Sequence, residues 1–494
     1  MPEKLYRIIV DIHQKECYYL VQFNVDFARE GFAMSDSPMK DLTTGSPMKL
    51  VLSFMLPLLF GMVFQQFYNM VDTVVVGKFL GVDALAGVGS TGSINFLVLG
   101  LCNGICAGFA IPVAQKFGQR DFDGLRKFVG NMVWLSIFFA VVITLVTTVF
   151  CRQFLVWMNT PEDTFSYAYD YIFLIFLGIP ATMLYNLLSG IIRSLGDSRT
   201  PLYFLIFSSL LNVVLDILFI VAFHMGVAGA GWATLLSQLI SGVLCLWYMA
   251  KHFPILKLSK EDLKLERSYV QRLLAMGLPM GMQYSITAIG SILLQTAVNT
   301  LGASAMAAMT AGSKVVFFVV CPFDAIGSTA ATFAGQNIGA EKPERVHAGV
   351  RASSILGVTY SIVIFFVLYF WGGNLTSIFL DSGDAEAVNV ILPMSRRFLL
   401  WNALFYIPLL YVNLLRFTIQ GLGFSNLAMV AGVSEMIARG IFGLCLVPYF
   451  GFDAVCLASP AAWVMADLFL FPGYYACLKK RGYHPKAQKS LSAS

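Results

Sequence analysis

Twelve stretches of about 20 mainly apolar residues, starting near positions 50, 88, 129, 168, 201, 227, 272, 304, 352, 398, 426 and 452, constrain this 494-residue chain more than any other feature. Each is long enough to cross a bilayer as a helix, and in hydrocarbon only helices and closed barrels satisfy their own backbone groups. With 57% hydrophobic and only 12% charged residues, the chain has too little polar surface for a soluble domain of this length. The expected fold is an all-α integral membrane protein of twelve transmembrane helices in two six-helix lobes.

A net charge of +5 invites comparison with nucleic-acid binders, but its placement argues for a bilayer. With an inside N-terminus, the N-terminal stretch, the alternate connections and the C-terminal tail hold 27 of the 33 Lys and Arg. Lys78, Arg152, Arg396 and Arg397 fall on the other side, and Lys314 and Arg439 lie within helices. This bias predicts a multi-pass protein of the cytoplasmic membrane with both termini in the cytoplasm and no nucleic-acid partner. The nine Cys include no CxxC pair. Cys102 and Cys106 share a helix face and read as small packing residues, and no cofactor is expected. Residues 1–33 lack the apolar core of a signal peptide, so Met34, opening "MSDSPMKDLTTGSPMK", is the expected start.

Internal similarity predicts the two lobes. "VVGKFLGVDALAGVGS" resembles "AVNTLGASAMAAMTA", with Gly81 and Gly302 separated by 221 residues; "GQRDFDGLRKFVG" pairs with "GQNIGAEKPERVHAG" at 217, and "RSLGDSRTP" with "RFTIQGLGFSN" at 223. The charged stretch between the halves reads as a linker. The expected divisions are a cytoplasmic segment 1–48, an N-lobe 49–250, a cytoplasmic linker 251–271, a C-lobe 272–478 and a cytoplasmic tail 479–494. Six helices per half return the chain to the same side, so the halves form a parallel repeat related by an axis along the membrane normal. Pro57, Pro112, Pro180, Pro279, Pro322, Pro408 and Pro460 fall well inside apolar stretches and predict kinks.

Ionisable residues inside membrane helices are functional candidates by default. Seven qualify: Asp72, Asp216, Lys314, Asp324, Glu435, Arg439 and Asp467. At 1.5 Å per residue, Asp72, Asp216 and Thr234 each fall ~9–10 Å from the same end of their helices. Asn212 stacks one turn from Asp216 in "NVVLD". Four oxygen-bearing side chains in one layer suit a small hard cation such as Na+, and two carboxylates in a dry pocket equally suit protons. A structural hydrogen-bond cluster is the bland alternative, weakened by the absence of Lys or Arg at that depth. In the second half, Glu435 and Arg439 are spaced to neutralise each other, with Lys314 and Asp467 at similar depth, which reads as a paired polar network. Asp324 is expected near the cytoplasmic end of its helix. Gln65, Gln66, Asn69, Gln283 and Tyr284 are candidates for lining a substrate cavity.

These residues carry a family resemblance. "LPLLFGMVFQQFYNMVDTVVVGKFLG", the "GQRD" and "GQNIGA" loops, "RSLGDSRTP", and "NVVLD" followed by "GVAGAGWAT" resemble the MATE, multidrug and toxin extrusion, transporters over about residues 45 to 480. The resemblance implies a V-shaped cavity between two lobes, and export of organic cations and other small-molecule drugs in exchange for Na+ or H+. It also implies a cation site at Asp72, Asn212, Asp216 and Thr234. The seventh and tenth helices lack the acidic residues of the NorM-like branch, so the chain looks more like the DinF-like branch. A monomer is expected. A lipid-linked oligosaccharide flippase of the same superfamily is the alternative. An intramembrane aspartyl protease lacks its GxGD motif, and P-loop and zinc spacings are absent, so no enzyme activity is expected.

Overall fold

The computed structural model describes residues 39–158, 160–380 and 387–483, all but the first two within one compact unit beginning at Asp41. The Met34 expectation lies outside the described residues. The described secondary structure is helical. Its long helices are α1 (Pro47–Leu80), α2 (Gly92–Gln119), α3 (Phe122–Val149), α4 (Glu162–Leu177), α5 (Ile179–Ser194), α6 (Arg199–Ile217), α7 (Val227–His252), α8 (Arg267–Asn299), α9 (Ala303–Gly339), α10 (Pro343–Ser377), α11 (Leu392–Leu404), α12 (Tyr406–Gly421), α13 (Ser425–Gly440) and α14 (Phe452–Lys480).

These helices make the twelve crossings that the apolar pattern predicts. Nine helical spans are long and apolar enough to cross singly, while α4 with α5 and α11 with α12 form two crossings bent by 46° and 52°. The remaining crossing is α8, 33 residues long, in which Gln283, Tyr284 and neighbouring polar residues dilute the apolar character. Several helices begin before their apolar windows, as α10 does, because a helix that leaves the hydrocarbon still makes its own backbone bonds.

Both breaks follow from proline chemistry. A proline ring excludes the carbonyl four residues before it. Pro180 and Pro408 thereby disfavour helix at Phe176 and Leu404, and the chain bends at Gly178 and Phe405, just beyond them. Pro57, Pro112, Pro279, Pro322 and Pro460 remain inside continuous helices.

The repeat is visible in backbone details. Gly81 and Gly302 hold φ of 89° and 95°, a region open to glycine, each opening the helix after a crossing. The fifth and eleventh crossings both pass into π-helix beyond their α-helical body, at Leu218–Ala222 and Ile441–Leu446, the eleventh closing with a further α-helical turn, Val447–Phe450. One pairing needs correction. Arg120 and Glu341 are both left-handed, at φ of 57° and 59°, which sets the offset there at 221 rather than 217. Gln115 then corresponds to Gln336 and Gly118 to Gly339. Gly118 abuts the Gln336 carbonyl and Gly339 abuts the Gln115 carbonyl, the reciprocal contact a twofold axis demands.

Lipid offers no hydrophobic drive between helices, so close packing depends on small residues. A Cβ built on Gly104 would lie 2.6 Å from the Gly281 Cα, and one on Gly108 2.6 Å from the Gly277 Cα, so α2 and α8 meet backbone to backbone. Gln115 donates to the Gly421 carbonyl and Gln336 to the Ser194 carbonyl, tying the halves at the end that also carries Leu42.

Candidate functional site

The first-half site forms where α1, α6 and α7 meet. Helical periodicity places Asn212 and Asp216 on one face of α6, and both are fully buried. Asn212 donates to the Thr234 hydroxyl of α7 at 3.2 Å. Asp72 arrives from α1, also buried, with its carboxyl within hydrogen-bonding reach of Asp216. The structure thus brings together all four residues singled out from the sequence.

Two tyrosines complete the pocket and were not anticipated. Tyr68, one turn before Asp72 on α1, meets Thr234 through its hydroxyl, and the buried Tyr171 of α4 is close enough for its phenol to interact electrostatically with Asp72, Asp216 and Tyr68. The i to i+4 spacing of Tyr68 and Asp72 was the available signal for the first; Tyr171 had none.

Chemically the pocket is a surplus of acceptors. Asp72 Oδ1, Asn212 Oδ1 and both carboxyl oxygens of Asp216 are buried without a donor. The groups acting electrostatically on the two carboxyls include no Lys or Arg. Two buried facing carboxyl groups are tolerable only when a proton or a cation lies between them. Oxygen donors of this kind suit a hard ion such as Na+. Among the described residues no group of three or more His, Cys, Asp or Glu gathers as metal ligands.

The second half holds a different arrangement at corresponding positions. Glu435 and Arg439 stand 223 residues after Asn212 and Asp216, on the helix that repeats α6. Glu435 pairs with Arg439 at 3.6 Å and more closely with Arg416 of α12. Arg416 is missing from the expected network because it had been assigned to a connection; it is instead a buried member of a helix, and Arg193, 223 residues earlier, is likewise helical and partly buried near the end of α5. Asp467 and Asp324 act on Arg416 electrostatically. Asp324 stands midway along α9 beside Tyr284 and Arg416, not at a cytoplasmic end. Lys314 is exposed and makes no hydrogen bond or ion pair with a described residue, so it does not join Glu435 and Arg439.

Of the cavity candidates, Gln65 and Asn69 are exposed, and Gln66 and Tyr284 partly buried. Gln283 instead points into the second half, where it accepts a bond from Gln420 at 2.7 Å.

Twelve crossings in two repeated halves, with a pocket of unpartnered acceptor oxygens buried in one of them, define a polytopic membrane protein built as transporters are. The MatE family model matches residues 57–218 and 279–444, once in each half. The chain is 29% identical to the probable multidrug resistance protein YpnP of Bacillus subtilis (strain 168) over 381 residues, covering 76% of this chain and 82% of that one. It is 22% identical to an FAD transporter of Shewanella oneidensis over 335 residues, 67% of this chain and 74% of that one. Its fold matches that of a MATE crystal structure in complex with MaL6, with a TM-score of 0.82 at 22% identity over 89% of this chain and 99% of that one. An outward-facing multidrug resistance MATE transporter gives 0.81 at 21%, over 89% and 98%. The chain belongs to the MatE family of transporters, and it is not an enzyme.

Proposed function

We propose that the protein is a secondary active antiporter that exports small organic molecules, organic cations foremost, across the cytoplasmic membrane in exchange for Na+ or H+. The carrying observation is the facing pair Asp72 and Asp216, with three unpartnered carboxyl oxygens, a fourth unpartnered oxygen on Asn212, and no cationic neighbour. Relatives named as multidrug resistance and multidrug export proteins support the cargo class, and the relative named as an FAD transporter extends it to phosphate-bearing molecules. An ion entering from outside would bridge Asp72 of α1 to Asp216 of α6, with Asn212, Thr234 and Tyr68 as further oxygen ligands. Drawing α1 against α6 would then alter how α1 sits against α9, its partner from the other half. One charge moving down ~100 mV supplies about 2.3 kcal/mol to that step.

In this reading residues 49–250 and 272–478 rock as two lobes joined by the 251–271 linker, as a monomer with both termini cytoplasmic. The inter-half contacts near Leu42 close the cytoplasmic side. The flippase alternative draws support from the partly buried Arg193 and the buried Arg416, but the acceptor pocket of the first half has no role in that mechanism.

The test is uptake of ethidium into inverted vesicles with sodium and pH gradients imposed separately, for the native protein and for Asp216→Asn. Uptake that follows one gradient and is lost in the variant is expected. Full uptake by Asp216→Asn would sink the ion-site assignment.

A further inference from the structure

Arg193 and Arg416 occupy equivalent places in the two halves, yet their surroundings differ. Arg416 has a carboxylate, Glu435. The position equivalent to Glu435 in the first half is Asn212, which is already committed to Thr234. Arg193 therefore lacks the counterion of its mate. Its side chain makes no hydrogen bond or ion pair with any described residue. The groups acting on it are the phenols of Tyr185 and Tyr284 and the thiols of Cys106 and Cys245, with no carboxylate among them. A partly buried guanidinium in a membrane helix without an anion is costly, and its missing partner is the first thing to seek.

Arg193 opens onto a cavity of about 70 Å³ between the halves, bounded also by Ser194, Met280, Ser328, Thr332 and Phe417. That is room for one or two waters, or for one small polar group of a larger molecule. The Ser328 hydroxyl, from α9, is likewise without a protein partner among the described residues. A guanidinium and a hydroxyl from opposite halves thus line one space whose lining includes no carboxylate. Asp324 stands one turn from Ser328 on the same helix, offering negative charge immediately beside it.

We propose that this cavity receives the anionic group, a carboxylate or phosphate, of the exported molecule, held by Arg193 and Ser328, while a cationic part of the same molecule lies toward Asp324. The preferred cargo is then a zwitterion rather than a simple cation. This rests on the export reading only in taking the bound molecule to be the one transported.

Rhodamine 110, a cationic dye with a free carboxylate, and rhodamine 123, its methyl ester, differ only at the group in question. Their affinities are measured by fluorescence anisotropy on the purified full-length protein in a neutral maltoside detergent, with no gradient, so that a failure of coupled transport in vesicles is read separately. The native protein is expected to bind the free acid at least about tenfold tighter, as charge-assisted hydrogen bonds are the strong ones. Arg193→Gln should bring the two affinities within about twofold and Arg193→Lys should keep part of the preference, since both cations complement a carboxylate but only Arg offers the planar fork. Ser328→Ala, a milder change, should reduce the preference about threefold or more, the loss of one net hydrogen bond. Equal affinities, no measurable binding of the free acid, or an unchanged preference in Arg193→Gln would each overturn the proposal. Displacement of the acid by phosphatidylglycerol but not by inorganic phosphate would assign the cavity to a lipid head group and equally overturn it.

Discussion

Asn212 donates its amide to the Thr234 hydroxyl across 3.2 Å, joining α6 to α7 at the level where Asp72 enters from α1. That bond uses the amide nitrogen and leaves the amide oxygen buried without a donor, a further acceptor on the helix face that carries Asp216. Thr234→Ala and Tyr68→Phe should therefore weaken ion affinity without abolishing transport, because each removes one oxygen or its orienting partner and leaves both carboxyls. The expected result is a rise of about threefold to thirtyfold in the ion concentration giving half-maximal dye uptake, the loss of one hydrogen bond or ligand. An unchanged concentration dependence in both variants would exclude their oxygens from the ion's coordination.

Asp72→Asn should behave as Asp216→Asn does. Removing either carboxyl leaves a single charge that cannot hold an ion between α1 and α6, while the amide keeps the volume and stays within the same packing. Coupled uptake should vanish with the protein still present in the membrane fraction. If Asp72→Asn retains gradient-driven uptake while Asp216→Asn does not, Asp216 alone carries the ion and α1 is not drawn in by it.

The four residues of this site were legible because charge in an apolar run is rare and depth can be read from helical rise. Tyr68 and Tyr171 were not, since tyrosine is at home in membrane helices and only the fold selects these two from the 20 in the chain. Arg193 and Arg416 were misplaced for the opposite reason. Each sits near the end of its apolar stretch, where a positive residue reads as part of a connection, and only the course of α5 and α12 shows both inside. The two-half architecture was legible from repeated glycine and glutamine motifs, but the offset near Gln115 and Gln336 was not, because the local match slides by one helical turn. The bends at Gly178 and Phe405 were half legible. Seven prolines predicted kinks, and nothing in the sequence distinguished Pro180 and Pro408 from the five that their helices accommodate.

Glu435→Gln should be strongly destabilising. It leaves Arg416 and Arg439 buried with their shared carboxylate gone, a loss of about 3–5 kcal/mol for a broken buried pair. Replacing all three with apolar residues, as Arg416→Met, Glu435→Leu and Arg439→Met, should recover most of that stability, because no unpaired charge remains. Thermal unfolding in detergent reads both. A single variant as stable as the native protein would show that Asp467 and Asp324 already balance the two arginines.

Gly104→Val should separate α2 from α8. The first added carbon alone would lie 2.6 Å from the Gly281 Cα, and neither backbone has a side chain to turn aside. The halves then cannot meet at this level, and crosslinking of cysteines introduced at Ala114 and Gly335, whose Cβ positions lie 3.1 Å apart, should fall sharply. Crosslinking at the native rate would show that the interface yields elsewhere.

Asp121 offers a pH test outside the membrane-spanning segments. It caps α3, accepting from the Gly124 amide at 2.9 Å, and its other oxygen pairs with Lys116 at 2.5 Å. The Lys116 bond first, and the Gly124 amide after it, hold this carboxyl below its usual 3.8. A carboxyl depressed by folding contributes stability that is complete above the unfolded value and is lost as pH falls through the folded one. Asp121→Ala should thus lower the thermal midpoint at pH 7, by an amount equivalent to about 1 kcal/mol for a lost N-cap. The gap between variant and native protein should narrow as the pH is taken below about 4, where the unfolded chain begins to bind the proton, and close further as the pH falls through the lower folded value and the native carboxyl loses its charge. A gap that is the same at both pH values would mean that Asp121 acts as a neutral cap, its pairing with Lys116 contributing nothing.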